Sequence, residues 1–316
     1  MRERTEPPLP PELTAWLLWI CVCLGFAALV GLLSGAPGPG RWLGPSLAGG
    51  ALVAPFLIRD GSVLRAAVAL QLLWVWLKAI DLARDSRRRS TGFRVVQLLV
   101  LHDLRRDDAA TAGRLQPRPE LRPGLLLGAL AWGACAALAL WLALFGATGL
   151  PAPSLCRYAG GLAFAYAGVE GALGAFEFVY RACGLRPPLL HQHPILSVSI
   201  SEFWGKRWNR IVGSWLFSNF YRPLALRRRA WLGAFAAFAA SALLHLYFTW
   251  AAIGLGGAGL MATFFLAQVP LLWLEQRWYQ AGWRSPLRRV WTLGWLALTS
   301  PLFIDPLLRI IEGGFA

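Results

Sequence analysis

Eight apolar runs, each close to the roughly 20 residues that cross a bilayer as a helix, dominate this chain. They lie approximately at Leu13–Leu33, Trp42–Ile58, Val63–Leu82, Gly124–Ala147, Tyr158–Cys183, Trp231–Trp250, Leu255–Leu274 and Val290–Leu307. Hydrocarbon offers no partner to a backbone N–H or C=O, so such runs fold as helices and associate. With 57% hydrophobic and only 15% charged residues, little chain remains for a soluble domain. The sequence therefore predicts an all-α, polytopic transmembrane helix bundle of about eight spans, forming one integral domain over residues 1–316. The second run is short and holds Pro45 and Pro55, which makes it the weakest helix. The first exceeds a signal-peptide core, and its leader mixes three acids with two arginines and lacks a small-residue cleavage site, so it reads as an uncleaved span.

Charge sets the orientation. The net charge is +15, and only Lys78 and Lys206 are lysines. Ten arginines fall between Arg84 and Arg122. Lys206, Arg207, Arg210, Arg222 and Arg227–Arg229 lie between the fifth and sixth runs, and Arg277, Arg284, Arg288 and Arg289 between the seventh and eighth. The alternate loops, Thr148–Pro153 and Ala251–Gly254, carry no charge. Positive-inside bias explains this pattern without a nucleic-acid partner; it places the basic loops in the cytoplasm and both termini outside. The preference for Arg, Ala, Gly and Leu suggests a GC-rich bacterial genome, and the expected location is then the bacterial cytoplasmic membrane. Cys21, Cys23, Cys135, Cys156 and Cys183 show no metal spacing or disulfide framework.

Against that apolar background, a few polar residues stand out. Ser241, His245 and Thr249 are spaced i, i+4, i+8, so they share one face of an otherwise apolar helix. A histidine at membrane depth is costly and, by default, a functional-site candidate. A neutral imidazole there can serve as a general base, or simply be satisfied by a neighbouring helix. Ser241 also permits a nucleophilic Ser–His pair. Upstream, Ser201–Asn209 reads SEFWGKRWN. Taken as one helix over Ser201–Ser218, it places Trp204, Trp208, Ile211 and Trp215 in a stripe, with Lys206 and Arg210 opposite, as in an interfacial anchor. Glu170 and Glu177 share a face of the fifth run, where Arg181 can pair with Glu177, and Gly160, Gly161, Gly168, Gly171 and Gly174 suggest close helix packing. His191 and His193, in HQHP, read as loop residues. His102 carries no further signal.

The run His193–Leu224, HPILSVSISEFWGKRWNRIVGSWLFSNFYRPL, resembles the wax-synthase branch of the membrane-bound O-acyltransferases. Ser199, Glu202, Phe203, Trp204, Gly205, Lys206, Arg207, Trp208 and Asn209 match that family's S-x-x-(D/E)-F-W-G-(R/K)-R-W-N segment. Ser241, Leu243 and His245 match its later histidine helix, so the catalytic-like segment is 194–250. Two positions depart: Ala242 stands where the family often has glycine, and Leu246 where it commonly has an acid. The resemblance implies transfer of an acyl group from acyl-CoA, as co-substrate, to the hydroxyl of a long-chain or other lipophilic alcohol, with no resident cofactor or metal. It implies His245 as base and Asn209 assisting, and makes Trp204, Lys206, Arg207, Trp208 and Arg210 candidate substrate-binding residues. The alternatives are a transporter or channel built on Glu170 and Glu177, and a non-catalytic lipid-binding relative.

Overall fold

Proline and glycine decide where the apolar runs break. The computed structural model describes residues 11–59, 61–100, 120–146, 153–184, 187–188, 190–279 and 285–314, with the side chains of 11–20 and 278–279 outside the description. The stretch 101–119, with His102, and the loop 147–152 thus lie outside the described residues. Among those described there are helices and turns and no strand. The chain divides into two compact units, Met1–Leu57 with Ala67–Leu104, and Ile58–Ala66 with Arg105–Ala316.

The first unit holds α1 (Pro11–Leu33), α2 (Leu43–Gly50), most of α3 (Ser62–Arg84) and α4 (Thr91–Leu99). Ala27, Val30, Ala48, Val75, Ala79, Leu82 and Leu98 form its core. Ser90 caps α4 by accepting from the Phe93 N–H at 3.2 Å, and Arg94 Nε donates to Gly31 O on α1 at 2.8 Å. The expected span Trp42–Ile58 is not one helix. It is the eight-residue α2 between 3-10 segments Gly38–Trp42 and Ala51–Leu57. Pro55 supplies no N–H, and the Gly49–Gly50 pair weakens the helix before it.

The second unit contains α5 (Pro123–Trp141), α6 (Pro153–Ala182), α7 (Arg210–Leu216), α8 (Ala230–Ile253), α9 (Leu255–Tyr279), α10 (Ser285–Thr299) and α11 (Pro301–Glu312). The glycine face of α6 is where neighbours approach. A Cβ on Gly160 would lie 3.0 Å from Ala139 O, and one on Gly171 3.2 Å from Gly133 N, both on α5. One on Gly161 would lie 2.3 Å from Ile304 Cγ2 of α11. Small residues let the helices meet backbone to backbone, which is how packing is gained when lipid is as apolar as the side chains.

Five helices are long and apolar enough to cross a membrane: Ser62–Arg84, Pro123–Gly146, Pro153–Ala182, Ala230–Ile253 and Leu255–Arg277. Their number and composition make this an integral membrane protein. The bent pair α10 and α11, at 46°, makes six if it is one span. The count is therefore five or six among the described residues rather than eight. The second run is broken, the eighth turns at Pro301, and the described apolar part of α1, Cys21–Leu33, is short by itself.

Candidate active site

SEFWGKRWN does not form the single helix that the tryptophan spacing suggests. Ile200–Glu202 makes one α turn, and Phe203–Arg207 widens into a π turn. Trp208 is extended (φ −88°, ψ 133°), and Asn209 is left-handed (φ 37°, ψ 62°) before α7 begins. Trp204 and Trp208 therefore belong to a different local structure from Ile211 and Trp215, and the four do not form one helical stripe. Asparagine suits this break: it tolerates the left-handed region, and its side chain caps the first turn of α7. Asn209 Oδ1 accepts from the Val212 N–H at 3.4 Å.

A dense set of hydrogen bonds holds the segment open. Ser199 Oγ accepts from Glu202 N at 2.8 Å, and Glu202 Oε2 accepts from Val198 N at 2.9 Å, a variant of the capping box. Arg207 donates to Glu202 Oε1 through Nε and Nη2, at 2.8 and 2.7 Å, and through Nη1 to Gln192 O at 2.9 Å. The Gln192 N–H returns to Arg207 O at 3.0 Å, and the Arg210 N–H reaches Leu190 O at 2.9 Å. Burial pushes the Glu202 carboxyl upward in pKa, but the Val198 N–H bond and Arg207 outweigh burial and hold it below its ordinary value. His191 stacks on Trp208, ring centroids 4.5 Å apart, and burial lowers its pKa to about 4, so it is neutral at pH 7.

Two buried residues of α9 complete the support. Glu275, 2% exposed, accepts from the Ile200 N–H, and Gln268, fully buried, accepts from Trp204 Nε1 at 3.3 Å. A buried backbone N–H needs a partner, and this carboxyl supplies one to the irregular segment. Gln268 and Glu275 are seven residues apart on an apolar helix, the spacing of Glu170 and Glu177. That signal in the sequence could have found them.

Trp204 carries the segment to the histidine. Its ring lies edge-on to Phe238 of α8 (6.2 Å) and Phe264 of α9 (6.0 Å), and tilted on Phe265 (5.7 Å). Phe238 is about 12 Å along α8 from Ala230 at ~1.5 Å per residue, so the segment dips well inside the bundle. Phe265 in turn stacks on His245, with centroids 3.9 Å apart, and Phe248 and Phe303 flank the imidazole at 5.3 and 6.4 Å. His245 Nδ1 lies 2.8 Å from Ser241 O. A carbonyl oxygen only accepts, so Nδ1 of the neutral ring carries the hydrogen and Nε2 carries the lone pair. The bond goes to the carbonyl of Ser241, which is not the contact a nucleophilic Ser–His pair uses. Leu246 packs against the apolar cluster formed by Ala242, Met261, Ala262, Phe264 and Phe265. A carboxylate would be poorly placed there, which accounts physically for the missing acid.

Asn209 and His245 occupy separate hydrogen-bond networks: Asn209 is exposed and turned to α7, while His245 is part-buried among phenylalanines. Of the three cations, Arg207 is committed to Glu202 and Gln192, Lys206 is exposed and Arg210 is half-buried. Glu177 pairs with Arg181 at 2.8 Å, as its spacing suggests. No group of three or more His, Cys, Asp or Glu able to hold a metal occurs among the described residues.

The sequence model of the "Membrane bound O-acyl transferase family" matches residues 187–267. Over 157 residues the chain is 30% identical to "Probable long-chain-alcohol O-fatty-acyltransferase 3" of Arabidopsis thaliana, covering 44% of this chain and 45% of that relative. Over 142 residues it is 31% identical to "Probable long-chain-alcohol O-fatty-acyltransferase 9" of the same plant, covering 40% of each. The chain thus matches less than half the length of these relatives. The family match, residues 187–267, takes in His191, Asn209 and His245.

Proposed function

We propose that this membrane protein is an O-acyltransferase that moves a fatty acyl group from acyl-CoA to the hydroxyl of a long-chain or other lipophilic alcohol. The observation that carries the reading is His245: it lies in the matched segment, with Nδ1 tied to Ser241 O and Nε2 left as the basic nitrogen. Nε2 takes the hydroxyl proton as the oxygen attacks the thioester carbon. The tetrahedral adduct then collapses, the C–S bond breaks, and the CoA sulfur leaves with the proton from the imidazolium. No acyl-enzyme is required. The aromatic wall of Phe265, Phe248 and Phe303 keeps the ring oriented and limits water. Asn209 assists, through the loop it shapes or as a donor to the developing oxyanion. Trp204 and Trp208 support the acyl end of the site, and Lys206 and Arg210 offer charge to the phosphates of CoA from the cytoplasmic side, while Arg207 holds the segment through Glu202.

Membranes containing the protein should convert labelled palmitoyl-CoA and hexadecanol into the ester. His245→Ala should lower the rate by about 10²–10⁴, the usual contribution of a general base, in protein that still folds. Full activity in that variant removes the base role. No ester across broad donor and alcohol panels, from well-folded wild type, removes the enzyme reading.

A further inference from the structure

Away from His245, α5, α6 and the loop before Pro194 line an open cleft of about 280 Å³. Its lining includes Glu170, Glu177, His191, Trp132, Phe176 and Gly174. None of the lining residues described is a lysine or arginine.

The chemistry of this lining is selective. Two carboxylates face the cleft, and Arg181 outside it neutralises only Glu177. Glu170 lies in the inner part of the 30-residue α6, where it is hydrogen-bonded to the neutral Tyr166 and has no ion pair among the described residues. A carboxylate so deep in an apolar helix is expensive unless something of opposite charge meets it. Nδ1 of His191 is buried and has no hydrogen-bond partner among the described residues, and the neutral ring adds no positive charge. Trp132, held edge-on by Tyr166 at 6.0 Å, and Phe176 supply aromatic surface beside the acids. Aromatic faces next to a carboxylate are the arrangement that attracts an ammonium group, by cation–π and charge together. Gly174, whose absent Cβ would lie 3.2 Å from Ala129 Cβ, keeps the floor low.

We infer that this cleft binds the ammonium headgroup of an amphiphile, separately from the site at His245. The headgroup sits between Trp132 and Glu170, and the tail leaves along the apolar wall of Leu125 and Leu173 toward lipid. Such an ammonium comes from an aminophospholipid of the surrounding bilayer or from a free long-chain amine.

The test uses the full chain in maltoside micelles, titrated with octylammonium and with octanol, which share a tail and differ in charge. Octylammonium should bind at least tenfold more tightly. Glu170→Gln should bring the two within about threefold of each other, and Trp132→Leu should weaken octylammonium at least threefold. Equal binding of both probes by wild type, or full discrimination in folded Glu170→Gln, overturns the inference. If Glu170→Gln does not fold, Trp132→Leu decides, and unchanged affinity there overturns it. Native mass spectrometry from nanodiscs separates the sources. Retention of phosphatidylethanolamine over phosphatidylglycerol identifies a membrane lipid, and loss of that preference with octylammonium binding intact identifies a free amine. Ester formation is not the readout, and His245→Ala should bind octylammonium as wild type does. Failure here therefore leaves the acyltransferase reading standing, and the reverse also holds.

Discussion

At the scale of single residues, the site depends on a backbone break that asparagine tolerates. Asn209 combines φ 37° with a cap on α7. Asn209→Ala should lose both the cap, about 1 kcal/mol, and ease in the left-handed region, about another 1 kcal/mol. Asn209→Gly keeps the backbone conformation and should cost only a few tenths of a kcal/mol. Unfolding in mixed micelles measures the difference. If the side chain itself assists the reaction, Asn209→Gly slows ester formation roughly tenfold or more at nearly full stability; unchanged turnover confines Asn209 to holding the loop. Glu202 makes a second residue-scale case. Its carboxyl is partly desolvated, yet the Val198 N–H and Arg207 hold its folded pKa below the ordinary 4.5. A depressed carboxyl contributes stability above its unfolded pKa and loses it as pH falls through the folded value. Amide exchange across residues 198–208, corrected for intrinsic rates, should stay slow at pH 6 and accelerate below about pH 4.5. Glu202→Gln should show the faster exchange already at pH 6, and identical profiles for the two proteins would remove the Glu202–Arg207 clamp from the account.

At the scale of elements, the sequence foretells helices where the apolar period is long and fails where the backbone departs from it. The runs that form α3, α5, α6, α8 and α9 are readable because their only pattern is apolar length. Ser201–Ser218 defeats the same reading because 100° per residue assumes α geometry, while Phe203–Arg207 and Phe217–Tyr221 adopt π turns and Asn209 reverses the chain. His245 can be found because one imidazole interrupts an apolar helix. Phe265 and Phe303, which surround it, are indistinguishable in sequence from any lipid-facing phenylalanine. The stitching of Leu190 and Gln192 to the FWGKRWN segment is long-range backbone bonding, which side-chain patterns do not encode. The glycines of α6 are legible, and they permit a graded test. Gly160→Val should push α6 from the carbonyl of Ala139 and cost about 1–3 kcal/mol. Gly168→Ala, whose Cβ would meet nothing closer than 3.9 Å, should be neutral within roughly 0.5 kcal/mol. Equal losses in SDS titrations of the two variants would show that contact with α5 is not what the glycines provide.

At the scale of the whole molecule, the proposed function raises the question of which side each of its substrates would enter from. Within the second unit, α8 runs from the Arg227–Arg229 cluster to an uncharged turn at Gly254, and α9 returns toward Arg277. Each arginine drawn to the centre of a bilayer costs about 2.5–3.5 kcal/mol on insertion scales, so the basic ends should share one face. His245 is nearer the uncharged end, about 12 Å from Ile253 against about 22 Å from Ala230 at ~1.5 Å per residue. An acyl-CoA held by Lys206 would therefore pass its thioester inward, beside the dipping Trp204, while an alcohol approaches from the bilayer. This geometry requires that α8 and α9 both cross. Leu226, Leu255 and Leu287 are 75%, 62% and 55% exposed, so cysteines there should accept a membrane-impermeant maleimide. In a cysteine-free background, intact cells should label Leu255→Cys alone, and inside-out vesicles should label Leu226→Cys and Leu287→Cys. If Leu226→Cys and Leu255→Cys react from the same side, α8 does not span, His245 is not at membrane depth, and entry of the two substrates from different phases has no structural basis.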